Sequence, residues 1–355
     1  MMLDAHRTTL EACRFCWMCR HACPAGLVTR RETTTPRGWA LQLWLWTRGL
    51  LPSSRELAEE LSYCLQCGLC EAWCVPGFAP HRAIRDARAQ LAAQGLVPAS
   101  VEAVRQNLRV HQNPFGPAHQ PPLEAAAPWD VLYIPGCVEA ALRPGLSTSL
   151  LALLRRAGLR AVPARSPCCG AIAHDLGLDG EAERLAEGLH PLLGEASLAV
   201  VWGHACRRFI QDRWPHLKHV RSPGQVLSDL VATRQLRWSR SVNLRVVLQE
   251  PCREAPEERV RARAFLEGIP GVRLLDPAPS DGRAPCCGGA GGMPLLHPEL
   301  ALELAAGRLR AIRSAGGEAC VTTSPTCHAV LHQARHAVPN VEVLDIVEVV
   351  LRALT

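Results

Sequence analysis

Eight of the chain's 17 cysteines lie in two runs of one pattern, and that pattern constrains the fold more than any other feature. The runs are Cys13-x-x-Cys16-x-x-Cys19-x-x-x-Cys23 and Cys64-x-x-Cys67-x-x-Cys70-x-x-x-Cys74. Three thiolates at two-residue spacing can wrap three corners of an iron–sulfur cube, while the fourth points away and ligates a neighbouring cube. The crossed pattern therefore puts Cys13, Cys16, Cys19 and Cys74 on one [4Fe–4S] cluster. Cys23, Cys64, Cys67 and Cys70 form the ligand set of the second. Pro24 follows the first run directly, and Pro76 stands one place further on after the second. Zinc is the alternative, since paired Cys-x-x-Cys also binds zinc. Two matching runs of four cysteines favour clusters.

The later cysteines repeat in a different order. Asp130-Val-Leu-Tyr-Ile-Pro reads as a strand ending at Gly136-Cys137, followed by a helix over about 144–157, the strand-like Leu159-Arg-Ala-Val and Pro167-Cys-Cys-Gly. Asn243-Leu-Arg-Val-Val-Leu-Gln likewise ends at Pro251-Cys252, and a helical stretch, Val272-Arg-Leu-Leu and Pro285-Cys-Cys-Gly come next. Each Cys-Cys-Gly is followed by a helix, a strand (Ala199-Val-Val-Trp; Ala319-Cys-Val-Thr-Thr) and one more cysteine. Single-to-double spacing is 30 and 33 residues, and double-to-single spacing 36 and 39. This is a duplicated α/β unit of about 110 residues. Its two cysteine sets are Cys137, Cys168, Cys169, Cys206 and Cys252, Cys286, Cys287, Cys327. Adjacent cysteines serve one tetrahedral ion poorly but can feed neighbouring metals of a cluster, so a further iron–sulfur cluster or zinc is expected in one or both units. Cys320 is left over and reads as a buried strand thiol.

The expected organisation is an α-helical dicluster ferredoxin-like domain over 1–112, a proline-rich linker over 113–128, and α/β cysteine-rich units over 129–240 and 241–355. Leu57 to Leu61 and Ile84 to Leu96 have helix-forming composition. The apolar stretch Trp39 to Leu51 is too short to span a bilayer and reads as a buried helix, with interfacial contact through Trp44 and Trp46 the alternative. Arg14, Arg20, Arg82 and Arg85 lie near the cluster cysteines in sequence; most read as solvated surface charge. The net charge is only +6, and the arginines (38 of the 39 basic residues) are scattered, which disfavours nucleic acid as a partner. The N-terminus lacks the apolar core of a secretory signal, and clustered cysteines in a reducing compartment are metal ligands rather than disulfides. A cytoplasmic location is expected.

Taken in order, both cysteine runs, Thr35-Pro-Arg-Gly38, Pro135-Gly-Cys137, Cys168-Cys-Gly-Ala171, Glu250-Pro-Cys252, Cys286-Cys-Gly-Gly-Ala-Gly-Gly292 and Ser324-Pro-Thr-Cys327 carry a resemblance. The chain resembles the iron–sulfur subunits of the glycolate oxidase and lactate-oxidation type, within the cysteine-rich CCG proteins that include heterodisulfide reductase subunits. The resemblance implies an electron-transfer subunit with no catalytic residues of its own, in a hetero-oligomer with an FAD-containing 2-hydroxyacid dehydrogenase. It further implies a quinone or other membrane carrier as acceptor, and so a peripheral position on the inner face of the cell membrane. The alternative it offers is a catalytic subunit of the heterodisulfide reductase type, reducing a disulfide at the Cys-Cys-Gly sites. That type carries a fifth cysteine per unit, where this chain has Gly203 and Ser324. His204 and His328 adjoin the last cysteine of each unit; with His174 and His297, they read as structural or surface histidines sooner than ligands. The glycines from Gly288 to Gly292 read as room for backbone amides to approach cluster sulfurs, not as a phosphate loop.

Overall fold

The computed structural model describes residues 2–118, 129–277 and 283–354, so most of the proline-rich segment expected to be a linker lies outside the described residues. Before residue 131 the described chain is helical. Several of its helices begin with proline in the first turn: Pro24–Thr29, Pro36–Thr47 and Pro80–Ala93. Proline there loses only an amide that has no intrahelical partner anyway. The helix Pro36–Thr47 explains the Thr35-Pro-Arg-Gly motif. Thr35 Oγ1 caps it by accepting from the Gly38 amide at 3.1 Å. A Cβ on Gly38 would lie 2.0 Å from the Glu32 carbonyl oxygen, so only glycine fits. Thr35→Ala is expected to lower stability by about 1 kcal/mol, measured as a shift of the denaturant midpoint.

Trp39, Leu43 and Trp46 of that helix are buried, and Trp46 donates to Ser53 Oγ at 3.2 Å. Trp44 is partly buried, edge-on to Phe15 and covered by the Arg48 guanidinium. The apolar segment is thus a core helix. No helix among the described residues is long and apolar enough to cross a membrane.

Beyond residue 130 two parallel four-stranded sheets follow one another. The first comprises β1 (Val131–Ile134), β2 (Ala161–Pro163), β3 (Ala199–Val201) and β4 (Val220–Arg221), in the order β2-β1-β3-β4. The second comprises β5 (Leu244–Gln249), β6 (Val272–Leu275), β7 (Ala319–Thr322) and β8 (Glu342–Asp345), in the order β6-β5-β7-β8. The two orders are the same, as the cysteine spacing implies. β1, β3 and β7 are buried throughout, as strands covered by helices on both faces must be. β4 and β8 carry no cysteine landmark and were not expected from the sequence; β4 is two residues long, too short for any periodic signal.

The parts share cores. Leu10, Trp39, Leu61 and Ile84 pack in one cluster with Met293 and Leu309 of the second unit. Val101, Val104 and Leu108 of the helix Ala99–His111 pack instead with Leu176 and Leu185 of the first. A third cluster joins the two sheets through Trp202, Val246 and Val349.

Candidate metal centres

In a parallel sheet with this strand order, the first strand's successor pairs on one side and the next on the other. The opening this leaves lies beyond the carboxyl ends of the strands. Cys137 and Cys206 follow β1 and β3, and the Cys168–Cys169 pair follows β2. Cys252, Cys327 and the Cys286–Cys287 pair take the same places after β5, β7 and β6. Duplicated topology thus delivers each set of four to one edge of its sheet.

Within each set, the thiols lie in a line, each beside the next. It runs Cys137, Cys168, Cys169, Cys206 in the first unit. In the second it runs Cys252, Cys286, Cys287, Cys327. Hydrogen bonds from Cys137 and Cys169 pull Cys168 well below the usual thiol range, while its neighbours are raised. Contacts with Cys286 and then Cys327 pull Cys287 down in the same way. Among the described residues, no three Cys, His, Asp or Glu groups converge as a single metal ion requires. A tetrahedral zinc would draw its thiolates to within about 3.8 Å of one another, from Zn–S bonds of about 2.3 Å.

The N-terminal cysteines fall into the two crossed groups. Cys13 and Cys19 lie beside Cys16 and Cys74. Cys23 and Cys70 lie beside Cys64 and Cys67. Cys23, Cys64 and Cys70 are buried, and Cys16 is exposed. Burial pushes the free thiols of Cys19 and Cys64 up to about 11, so binding metal there must expel protons. Polar N–H groups already face the sulfurs. Gly26 N lies 3.5 Å from Cys23 Sγ, and Gln66 Nε2 lies 3.5 Å from Cys64 Sγ. In the second unit Gly289 N lies 3.4 Å from Cys287 Sγ, as expected for the glycine-rich turn.

Three of the four arginines noted from the sequence pair with carboxylates. Arg20 pairs with Glu32, Arg82 with Glu71, and Arg85 with Asp86 and Asp179. Two other arginines matter more. Arg88 is buried and donates to the carbonyls of Leu61, Ser62, Cys64 and Asp175, at 2.7–3.2 Å. Arg253 pairs with the Asp175 carboxylate at 3.1 Å and lies near Cys252 and Cys67. Arg253 could be suspected from its place after Cys252. Arg88 leaves no local signal.

The two halves meet at sulfur. Cys286 lies beside Cys67. Gly291 makes the approach possible: a Cβ there would lie 2.6 Å from the Leu65 carbonyl carbon and oxygen. A cleft of about 540 Å³ opens beside this junction, lined by His81, Arg85, His174, His204, Cys252 and Arg253.

The places of the absent fifth cysteines are also explained. Gly203 has φ +141°, a conformation that disfavours any side chain, although a Cβ there would lie 3.3 Å from Cys206 Sγ. Ser324 Oγ accepts from the Cys327 amide at 3.4 Å, capping the helix Pro325–Ala334. Cys320 is fully buried in β7, and burial pushes its thiol up to about 12. His297 stacks on Tyr63 and hydrogen-bonds Ser62, and His174 hydrogen-bonds Arg85; both tie segments together.

Comparison with known proteins matches residues 9–78 to a 4Fe-4S dicluster domain and residues 131–203 and 246–332 to a cysteine-rich domain. The chain is 24% identical to one of the subunits of the dihydromethanophenazine:CoB–CoM heterodisulfide reductase of Methanosarcina barkeri, covering 97% of this chain and 94% of that one. It is 25% identical to the glycolate oxidase iron–sulfur subunit of Escherichia coli, covering 94% and 93%. It is 23% identical to one of the subunits of the fumarate reductase (CoM/CoB) of Methanothermobacter marburgensis, covering 96% and 71%. A crystal structure of a hypothetical protein from Helicobacter pylori shares the fold, with a TM-score of 0.66 at 10% identity over 90% of this chain and 68% of that one.

Proposed function

Because the chain belongs with the iron–sulfur proteins that join a dicluster domain to two cysteine-rich domains, as a homologue of heterodisulfide reductase and glycolate oxidase iron–sulfur subunits, we propose that it is an electron-relay subunit of an oxidoreductase complex. Cys13, Cys16, Cys19 and Cys74 would hold one [4Fe–4S] cluster, and Cys23, Cys64, Cys67 and Cys70 the other. A further cluster would be held by Cys252, Cys286, Cys287 and Cys327, with Cys137, Cys168, Cys169 and Cys206 offering the equivalent site in the first unit. Clusters bound there supply one-electron transfer at potentials set by charge, hydrogen bonds to sulfur and solvent exposure.

The observation that carries the reading is the contact of Cys67 with Cys286, which abuts a dicluster cysteine on a cysteine-rich site. The chain's own residues keep that junction closed and charged. Arg253 lies beside both Cys67 and Cys252, its charge balanced by Asp175, and favours electron-rich sulfur on either side. Exposed Cys16 marks the end where a partner would exchange electrons. The partner we propose is an FAD-linked dehydrogenase of 2-hydroxyacids, and the acceptor a quinone or other carrier; the likeness to a glycolate oxidase iron–sulfur subunit supports a place in such a complex. The domain limits we assign are 1–112, 129–240 and 241–355.

Disulfide reduction at the Cys-Cys-Gly sites is the weaker reading, because the backbone at Gly203 and the capping role of Ser324 leave four thiols per site. The test is iron, acid-labile sulfide and zinc per chain after anaerobic purification, with EPR on the same sample. More than eight irons are expected, since two [4Fe–4S] clusters account for only that number. Eight irons or fewer would confine redox chemistry to the N-terminal region and end the relay reading. Zinc in place of iron throughout would overturn the assignment altogether.

A further inference from the structure

We infer that His204, carried by the first cysteine-rich unit, is a nitrogen donor to the metal centre of the second. The inference rests on the reading that Cys252, Cys286, Cys287 and Cys327 hold a cluster. His204 stands two residues before Cys206, so sequence alone assigns it to its own unit. The fold sends it elsewhere: its side chain lines the same cleft as Cys252 and lies near both Cys252 and Cys287. Gly203 makes the crossing, since its φ of +141° redirects the chain immediately before the helix His204–Arg213.

Three further observations point to ligation. His204 Nδ1 is buried and has no hydrogen-bond partner. Leaving such an atom unpaired is costly, and a bond to metal removes that cost. Three residues before Cys327 the second site offers Ser324 rather than a thiol, and the Ser324 oxygen is committed to the Cys327 amide. A neutral imidazole is a good ligand for iron and replaces thiolate in some clusters. The arrangement is also one-sided. The residue matching His204 in the second unit is Pro325, which has no donor atom to return to the first site. The duplicated sites therefore differ in chemistry. The one in contact with Cys67 gains a nitrogen, and its neutral ligand raises the reduction potential relative to an all-thiolate centre.

The test uses the full-length chain, purified anaerobically with its metal and labelled with [15N]histidine, and examined by pulsed EPR in the reduced state. A strongly coupled histidine nitrogen is expected in the unaltered protein, a result that needs no variant to fold. The coupling should vanish in His204→Ala and persist in His174→Ala, which changes another histidine of the same cleft. His204→Cys should lower the midpoint potential of that centre alone. A third centre with no strong histidine coupling, or with coupling that survives His204→Ala, would overturn the inference while sparing the relay reading. An iron count of eight with no third centre would overturn both.

Discussion

Replacing Arg88 by alanine is expected to lower stability by about 3–5 kcal/mol and to reduce the iron bound by the Cys23, Cys64, Cys67 and Cys70 group. The guanidinium is buried and serves four carbonyl groups through five hydrogen bonds. Three of those carbonyls, on Leu61, Ser62 and Cys64, belong to the turn that enters the second cysteine run. The fourth belongs to Asp175 of the first cysteine-rich unit, whose carboxylate in turn holds Arg253 of the second. Arg88 therefore ties the helical region to the first unit, and Asp175 carries the link on to the second. Alanine leaves buried acceptors without donors, and each unpaired group carries a desolvation cost of about 1–3 kcal/mol. Lysine should recover only part of the loss, because a compact ammonium cannot reproduce the planar fork. The check is the midpoint of the first denaturant transition, followed with iron content. A shift worth less than about 1 kcal/mol, the cost of a single unpaired group, would show that water or neighbouring groups readily replace Arg88.

Gly291→Val is expected to have an effect of similar size, about 3 kcal/mol, with a different signature. Gly291 has φ +63°, which a β-branched residue adopts only under strain of about 1–2 kcal/mol. Its Cβ would also collide with the backbone of Leu65, next to Cys64, and overpacking of that kind adds about 1–3 kcal/mol. Either the second unit withdraws from the cysteine run, or the run itself shifts. Withdrawal separates Cys286 from Cys67 without removing any cysteine from either group. The expected result is slowed electron transfer between the dicluster region and the second unit in freeze-quenched EPR, with the iron count largely retained. Transfer at the normal rate in a variant that keeps its iron would show that the Cys67–Cys286 junction is not the route.

Much of the architecture was legible because it is written in short-range spacing. Cysteines two and three residues apart can reach only certain corners of a cube, so the runs themselves suggest the crossed grouping. The duplicated sheets were legible for a similar reason. Apolar runs such as Val131–Ile134 and Leu244–Gln249 end at cysteines, and the landmarks recur at nearly constant separation. β4 and β8 escaped notice because they lack that landmark. Arg20, Arg82 and Arg85, near the cysteines in sequence, are paired with carboxylates, since proximity along the chain does not decide where a long side chain finds its counter-charge.

By itself the sequence determined the α/β duplication and the kinship with iron–sulfur subunits, because each depends on local spacing or residue order. Tertiary structure alone decided how the parts join. Arg88 meets Asp175, Cys67 meets Cys286, Gly291 meets Leu65, and His204 reaches Cys252 across the boundary between the units. These pairs are far apart in the chain and follow no period. They arise because burying the helical region against both units leaves polar and sulfur groups at the seam that must satisfy one another.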